Sequence, residues 1–167
     1  ALALVRREVP DARLVVAGAL SFASDGREQA HGMIERLGLA GAVDLAGPYT
    51  QAHAPALVRS ADVLLHTKYN DPCPTIVLEA MACGLPVVYS ASGGTPELVG
   101  DDAGIGIEAP LDWEHDHPPD ADRLAEAVGV LARDIDARRA AARDRALRFD
   151  VVPWVERHRA IFERLVG

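Results

Sequence analysis

Apolar and polar positions along the chain follow two alternating patterns. Short apolar runs of strand length are each followed by a longer segment with apolar residues at helical spacing. Strands are predicted over residues 13–17, 43–46, 62–66, 86–89 and 104–108, the first as a buried strand. Helices are predicted over 26–38, 51–60, 75–83, 96–99, 121–133, 135–147 and 153–165. This alternation predicts an α/β fold, a Rossmann-like parallel sheet flanked by helices, in a single domain over residues 1–167.

Several residues suited to ligand binding come directly after predicted strands. They are Gly18, Gly47, Pro48, Lys68 with the loop that continues to Pro74, Gly93 and Gly94. Ligands of open α/β sheets bind at the carboxyl ends of the strands. We therefore expect these residues to gather along one edge.

The segment from Asp71 to Glu79 carries the strongest functional signal. Two carboxylates separated by seven residues flank a predicted helix start, with Thr75 placed as its N-cap after Pro74. The first turn offers the backbone amides of Thr75 and Ile76, and free amides at a helix N-terminus attract phosphate. Carboxylates on either side can accept hydrogen bonds from sugar hydroxyls. The pattern indicates a sugar-phosphate site.

Each of these residues also has a plainer interpretation. Asp71 could cap its loop, and Glu79 could stabilise the helix through the helix dipole. The apolar neighbours of Glu79 in sequence suggest limited exposure, which favours a ligand role. Lys68 could neutralise a diphosphate or be a solvated charge, and a glycine pair such as Gly93-Gly94 is common in turns.

Lys68 and Asn70 are the only lysine and the only asparagine of the chain, which suggests a specific demand at this loop. His66, at the end of a predicted strand, is a candidate for lining the site. The loop that contains His115 and His117 has no supporting ligand cluster, and we interpret it as a solvated acidic loop. No metal site is predicted.

Composition narrows the function classes. The formal net charge of −8 argues against a nucleic-acid surface. No apolar run is long enough for a transmembrane segment, and no signal peptide is recognisable. Two widely spaced cysteines predict neither a zinc site nor a redox pair, and favour a cytoplasmic protein. Phosphate-loop, dinucleotide, zinc-protease and serine-hydrolase motifs are absent.

Several motifs in one order resemble the group 1 retaining glycosyltransferases, from about residue 5 to residue 165. Asp71-x7-Glu79, continuing as Ala-Met-Ala-Cys-Gly-Leu-Pro-Val-Val, is similar to the E-x7-E segment of that family. Gly93-Gly94-Thr95-Pro96-Glu97 resembles its G-G-x-P-E segment. The strands at 13–17, 43–46 and 62–66 fall in the family's usual order.

The resemblance implies a GT-B fold of two Rossmann-like domains, with this chain as the C-terminal, donor-binding one. The family's second Glu, matching Glu79, typically holds the donor ribose, and its first, matching Asp71, contacts the donor sugar. Amides matching Thr75 and Ile76 meet the phosphates, and the loop after Gly47 lines the base. The implied reaction is retaining transfer from a nucleoside-diphosphate sugar, with no metal or other cofactor.

The chain departs from the family pattern in two respects. Asp71 is one methylene shorter than the usual Glu, and the family's basic pair for the diphosphate would lie upstream of Ala1. Residues 1–8 read as the tail of a helix, so we expect a fragment with a truncated first strand and without the N-terminal acceptor domain. Such a fragment should bind donor weakly and transfer nothing.

Other functions stay open from the sequence alone. A non-catalytic module that senses a nucleotide sugar or sugar phosphate could share this fold. A signalling receiver domain and a sugar-nucleotide epimerase fit the motifs less well. The base, the sugar and the acceptor are not predicted.

Overall fold

The computed structural model describes residues 1–20 and 23–167. The strands in these residues are β1 (Leu14–Ala17), β2 (Val43–Gly47), β3 (Leu64–His66), β4 (Val87–Ala91) and β5 (Gly104–Glu108). The helices are α1 (Leu2–Glu8), α2 (Gly26–Arg36), α3 (Ala54–Arg59), α4 (Thr75–Ala82), α5 (Thr95–Val99), α6 (Ala121–Arg133), α7 (Ile135–Leu147) and α8 (Val151–Val166). Every predicted element is present, and no end is shifted by more than three residues.

All strand pairs are parallel, and they form two ladders. β1 pairs with β2, and β3, β4 and β5 form a three-stranded sheet with β4 at its centre. The predicted architecture of parallel strands flanked by helices is therefore confirmed. The pairing among the described residues is divided between two sheets.

The prediction that residues 13–17 form a buried strand is wrong for one face of β1. Successive side chains point to opposite faces of a strand. Leu14 and Val16 are half-buried, whereas Val15 is 44% exposed and Ala17 is also exposed. Only one face of the β1–β2 ladder is packed.

The central strand β4 divides the core into two clusters. Val87 packs with Val77 and Met81 of α4 and with residues of α5 and α7. Val88, on the opposite face, packs with Leu124 and Leu131 of α6. Both valines are fully buried, so β4 is covered by helices on both sides. This rigid strand fixes the positions of the loops at its carboxyl end.

Glycines with positive φ terminate two helices. Gly38 follows α2 with φ +64°, and the amide of Leu39 donates to the carbonyl of Ile34. Gly84 follows α4 with φ +82°, and the amide of Leu85 donates to the carbonyl of Ala80. Both ends are Schellman motifs, and glycine is favoured there because the conformation is left-handed.

Helix α3 is shorter than predicted, and Thr50 does not cap it. The helix begins after His53, and a turn occupies residues 51–53. The Thr50 hydroxyl instead lies 3.1 Å from Nδ1 of His53. The threonine side chain is engaged by the preceding turn.

Helix α8 presents apolar side chains to solvent. Trp154 is 52% exposed, Phe162 62% and Leu165 75%. Trp154 stacks on His158 with 3.8 Å between ring centroids. Across residues 1–20 and 23–167, no helix has the length and apolar character that crossing a bilayer demands.

Candidate functional site

Helix α4 begins without a side-chain cap. Pro74 occupies the N-cap position with ψ 105°, and among the described residues no side chain caps the first turn. The predicted N-cap role of Thr75 is therefore wrong, because Thr75 is already the first helical residue. The amides of Thr75 and Ile76 have no intrahelical acceptor, as for any first turn. They are available to an acceptor from outside the helix.

The Asp71 carboxylate lies just before this helix and is largely buried, with 15% of its side chain exposed. Its Oδ1 accepts a hydrogen bond from the amide of Cys73 at 3.3 Å. Its Oδ2 lies 3.3 Å from Nζ of Lys68 and 3.7 Å from Nε2 of His66. The loop-capping interpretation is thus correct for one oxygen, and the other faces two basic side chains.

His66 ends β3 and is 8% exposed. Burial lowers the pKa of its imidazole below the usual 6.5, and nearby Lys68 also lowers it, while the Asp71 carboxylate raises it. Burial is the largest effect, so the imidazole is neutral at pH 7. The structure therefore places His66 at the site, as its position at a strand end suggested.

Lys68 is exposed, with 67% of its side chain open to solvent. Its ammonium approaches Asp71 from the solvent side, whereas the imidazole of His66 is buried. An exposed ion pair of this kind contributes roughly 0–1 kcal/mol to stability. Lys68 therefore retains the freedom to turn toward an anionic ligand.

The glycine pair holds the Asp71 loop by close backbone contact. A Cβ at Gly93 would lie 2.3 Å from the carbonyl oxygen of Asp71, and one at Gly94 would lie 2.0 Å from that of Pro72. The amide of Gly94 donates to the Asp71 carbonyl at 2.9 Å. Packing between the two loops accounts for both glycines, and it brings residues 92–95 against the helix start.

The single asparagine has a structural explanation. Asn70 has φ +50°, a left-handed conformation that asparagine tolerates better than most residues. Its amide donates to Oγ of Ser92, and its side chain donates to the Asp112 carbonyl at 2.8 Å. Asn70 therefore links the Asp71 loop to two neighbouring loops.

Hydrogen bonds of Tyr69 connect the loop around Asp112 to the site. The Tyr69 hydroxyl donates to a carbonyl of this loop, that of Pro110 or Asp112, and accepts from the Asp112 amide. These partners are more than 40 residues apart in sequence, so no local pattern could have predicted the contact. Tyr69 is the supporting residue that sequence analysis missed.

His115 and His117 surround one carboxylate. Nε2 of His117 donates to Oδ2 of Asp112 at 2.8 Å, and His115 lies 3.4 Å away. The hydrogen bond from His117 is the main reason that the pKa of Asp112 falls to about 2. Within the described part of the chain, no three His, Cys, Asp or Glu side chains are grouped to hold a metal ion.

Glu79 is exposed, so the prediction of limited exposure is wrong. α4 buries the face that carries Val77, Ala80 and Met81, and Glu79 lies off that face. Apolar neighbours in sequence do not bury a helical residue, because they point in other directions. Glu79 is one turn inside α4, and its carboxylate is open to a ligand.

Gly18, Gly47 and Pro48 form a second group at the carboxyl ends of β1 and β2. Gly18 and Gly47 both have positive φ, and the Gly18 amide donates to the Gly47 carbonyl at 2.8 Å. No hydrogen bond between described residues joins this group to the loops around Asp71. Each of the two clusters, this group and the loops around Asp71, lies at the carboxyl ends of its own ladder.

Two cavities lie away from both clusters. One of about 300 Å³ is between α1 and α6, and one of about 380 Å³ is between α2 and β2. Neither is lined by a residue of the predicted site. The chemistry-bearing residues instead surround an open helix terminus.

Comparison with known proteins decides the family. The family model for glycosyl transferases group 1 matches residues 1–143. The chain belongs to the group 1 glycosyltransferases. It is 33% identical over 145 residues to the D-inositol 3-phosphate glycosyltransferase of Mycolicibacterium gilvum, covering 84% of this chain and 30% of that enzyme. The Mycolicibacterium smegmatis enzyme is 29% identical, covering 96% and 36%.

Solved structures of glycosyltransferases have the same fold. The Anabaena protein HepE, in complex with UDP, superposes with a TM-score of 0.75 at 26% identity, covering 98% of this chain and 44% of HepE. The sucrose-phosphate synthase of Thermosynechococcus elongatus has a TM-score of 0.75 at 25% identity, covering 98% and 41%. The resemblance to the C-terminal domain of a GT-B glycosyltransferase is thereby confirmed. The chain spans about a third of the length of these curated relatives.

Proposed function

We propose that this domain binds the nucleoside-diphosphate-sugar donor of a retaining glycosyl transfer. The observation that carries the proposal is the uncapped N-terminus of α4, which lies between the carboxylates of Asp71 and Glu79. Membership of the group 1 family supports it. So do the Anabaena HepE structures with UDP and with UDP-glucose.

The diphosphate would bind at the start of α4. The amides of Thr75 and Ile76 would donate to phosphate oxygens, helped by the positive end of the helix dipole. Lys68 is the nearby cation, and its exposed ammonium could leave Asp71 for a phosphate. Pro74 would contribute shape alone, since proline has no amide hydrogen.

The sugar and nucleoside would lie on either side of the diphosphate. Exposed Glu79 would accept hydrogen bonds from the ribose hydroxyls, and Asp71 would contact the donor sugar. The loop after Gly47, with Pro48 and the nearby Gly18, would line the base. Gly93 and Gly94 would border the sugar side, because they pack on the Asp71 backbone.

In the proposed reaction the bond between the anomeric carbon and the diphosphate oxygen breaks. An acceptor hydroxyl forms the new bond on the same face and passes its proton to the departing diphosphate oxygen. Electrostatic stabilisation of the departing diphosphate by the α4 amides and Lys68 would supply much of the rate enhancement. The proposal assigns this charge stabilisation to protein groups, without a metal or other cofactor.

The proposed partner for catalysis is an acceptor-binding domain of the same enzyme. The chain covers only a third of the length of its relatives, so the acceptor residues belong to another part of such an enzyme. We propose that the domain alone binds donor weakly and is inactive. Two free cysteines are in keeping with a cytoplasmic, reducing compartment.

Titration with UDP-, GDP- and ADP-glucose, followed by backbone amide shifts in NMR, tests the donor site. We expect saturable shifts at residues 71–79 and 92–95 with one of the three nucleotides. Glu79→Gln should weaken that binding about tenfold or more, since a hydrogen bond to a charged group contributes roughly 1.5–3 kcal/mol. Glu163→Gln, a matched change at an exposed residue of α8, should have no effect.

Absence of shifts at millimolar concentrations of all three nucleotides would contradict the donor site in this chain. Donor binding without glycosyl transfer by the complete enzyme would favour the alternative, a sensing module on the same fold. Shifts that persist unchanged in Glu79→Gln would remove the ribose role from that residue.

A further inference from the structure

His66 combines burial with an unused hydrogen-bonding atom. It lies at the carboxyl end of β3, beside Tyr89 of the central strand, and is 8% exposed. Its Nε2 is fully buried and has no hydrogen-bond partner among the described residues. Buried polar side-chain atoms nearly always have a partner, so an orphaned one calls for an explanation.

Oδ2 of Asp71 lies 3.7 Å from this nitrogen. That separation exceeds a normal N–H···O hydrogen bond by about 0.8 Å, since such bonds cluster near 2.9 Å. Hydrogen bonds in enzyme sites are often long in the free protein and tighten when substrate binds. A small rotation of the Asp71 side chain would close the gap.

Two basic groups face Oδ2 of Asp71, and they differ in strength. Lys68 is 67% exposed, so water screens its attraction and its long side chain is mobile. His66 is buried, on a strand of the core sheet, and cannot move away. The neutral imidazole with a proton on Nε2 is a donor, and the carboxylate is an acceptor.

We propose that His66 is a positioning residue, whose Nε2–H donates to Oδ2 of Asp71 when the donor sugar is bound and thereby fixes that carboxylate against the sugar. The inference rests on the proposed function, in which Asp71 contacts the sugar. Asp71 has one rotatable bond fewer than the glutamate usual at this position. Its carboxylate therefore has fewer orientations to restrict, and the rigid His66 at the end of β3 lies close enough to restrict them. The sugar contact would then depend on two residues, of which only Asp71 touches the ligand.

The inference predicts a loss of affinity for the ligand that carries the sugar, and not for the nucleotide alone. With UDP-glucose and UDP as probes, His66→Leu should weaken UDP-glucose binding about tenfold, the typical effect of one hydrogen bond to a charged group. UDP binding should change less than about twofold, because the nucleotide does not touch Asp71. Isothermal titration calorimetry on the same chain measures both.

Two further variants separate positioning from packing. His66→Gln places an amide nitrogen close to the position of Nε2 and should restore UDP-glucose binding to within about threefold of the original protein. His66→Asn reaches only as far as Nδ1 and should not restore it. Thermal unfolding of each variant checks that it is folded, and a purely structural role would follow stability instead of amide position.

The outcomes distinguish this inference from the proposed function. If the unaltered chain binds none of UDP-, GDP- and ADP-glucose, both are overturned; if it prefers GDP or ADP, that nucleotide and its glucose derivative replace UDP and UDP-glucose as probes. If it binds the nucleotide sugar and the nucleotide, and His66→Leu weakens them equally or weakens neither, the donor site stands and the positioning role is wrong. If Asn restores binding as well as Gln, the role of Nε2 is also wrong.

Discussion

Gly93 is the residue on which the geometry of the site depends most directly. Its φ of +61° disfavours any side chain, and a Cβ there would also collide with the backbone of Asp71. Gly38 has nearly the same φ, +64°, but a Cβ there would meet nothing within 4 Å. The two glycines share a left-handed conformation that would strain any other residue, and only at Gly93 would an added side chain also meet a steric clash.

Gly93→Ala should therefore cost more than Gly38→Ala. A left-handed alanine costs about 1–2 kcal/mol, which is the expected loss for Gly38→Ala. For Gly93→Ala we expect about 2–4 kcal/mol, because the Asp71 loop must also shift. Urea unfolding measures both free energies of unfolding.

The same pair tests the coupling between the loops. Gly93→Ala should also abolish UDP-glucose binding, whereas Gly38→Ala should leave it intact. Equal losses of stability in the two variants would show that the contact with Asp71 is relieved without cost.

Sequence reasoning at the residue scale was correct about placement and less so about surroundings. Asp71, Pro74, Thr75 and the glycine pair do meet at one helix start, because each follows a strand or begins a helix. The prediction that Glu79 has limited exposure was wrong, because the exposure of a helical side chain depends on which helix face the core covers. The hydrogen bonds of Tyr69 lay beyond any local pattern.

At the scale of elements, helix N-termini differ in whether a side chain accepts hydrogen bonds from their free backbone amides. Asp120 caps α6, and its side chain accepts from the amides of Asp122 and Arg123. Asp134 occupies the N-cap position of α7 but makes no such hydrogen bond. α4 likewise has no side-chain cap. The uncapped start of α4 differs from that of α7 in the loop that precedes it, where Lys68 and His66 both face the Asp71 carboxylate.

Asp120→Ala should destabilise the domain by about 1 kcal/mol, the usual cost of losing an N-cap. Asp134→Ala, at an N-cap position without the hydrogen bond, should cost less than about 0.5 kcal/mol. Chemical denaturation followed by circular dichroism compares the two free energies. Equal costs would mean that the Asp120 bonds contribute no net stability.

Hydrophobic periodicity located every helix and strand, including α8, which buries none of its residues. It placed the strand 104–108 and the helices 121–133 and 135–147 at their observed bounds. It could not show that β1 and β3 are unpaired with each other, since strand pairing depends on contacts distant in sequence. The length of the helix at 51–60 was overestimated, because the residues of the turn at 51–53 are also common in helices.

At the scale of the whole molecule, burial is unevenly distributed. The buried hydrophobic residues of the described chain lie mainly between Tyr69 and Ala142, and only Leu39 and Ala42 precede them. β4 is covered on both faces, whereas β1 and β2 have exposed positions along one face. The three-stranded sheet therefore carries most of the hydrophobic stabilisation.

Amide hydrogen exchange should show this difference. We expect the amides of Val87 and Val88 to exchange at the rate of global unfolding, and those of Leu14 to Val16 at least about tenfold faster through local opening. Mass spectrometry of peptides covering 13–18 and 86–91 measures both rates. Equal protection in the two peptides would mean that the ladders unfold as one unit.

The division into two ladders gives a bound donor a mechanical role. A ligand that touches the loop after Gly47 with its base and the start of α4 with its phosphates would connect the two ladders, which we expect to open at different rates. Part of its binding free energy would then appear as slower opening of β1, a strand whose first residues it never touches. Slower amide exchange of Leu14 on donor binding would thus show that the ligand couples the two ladders.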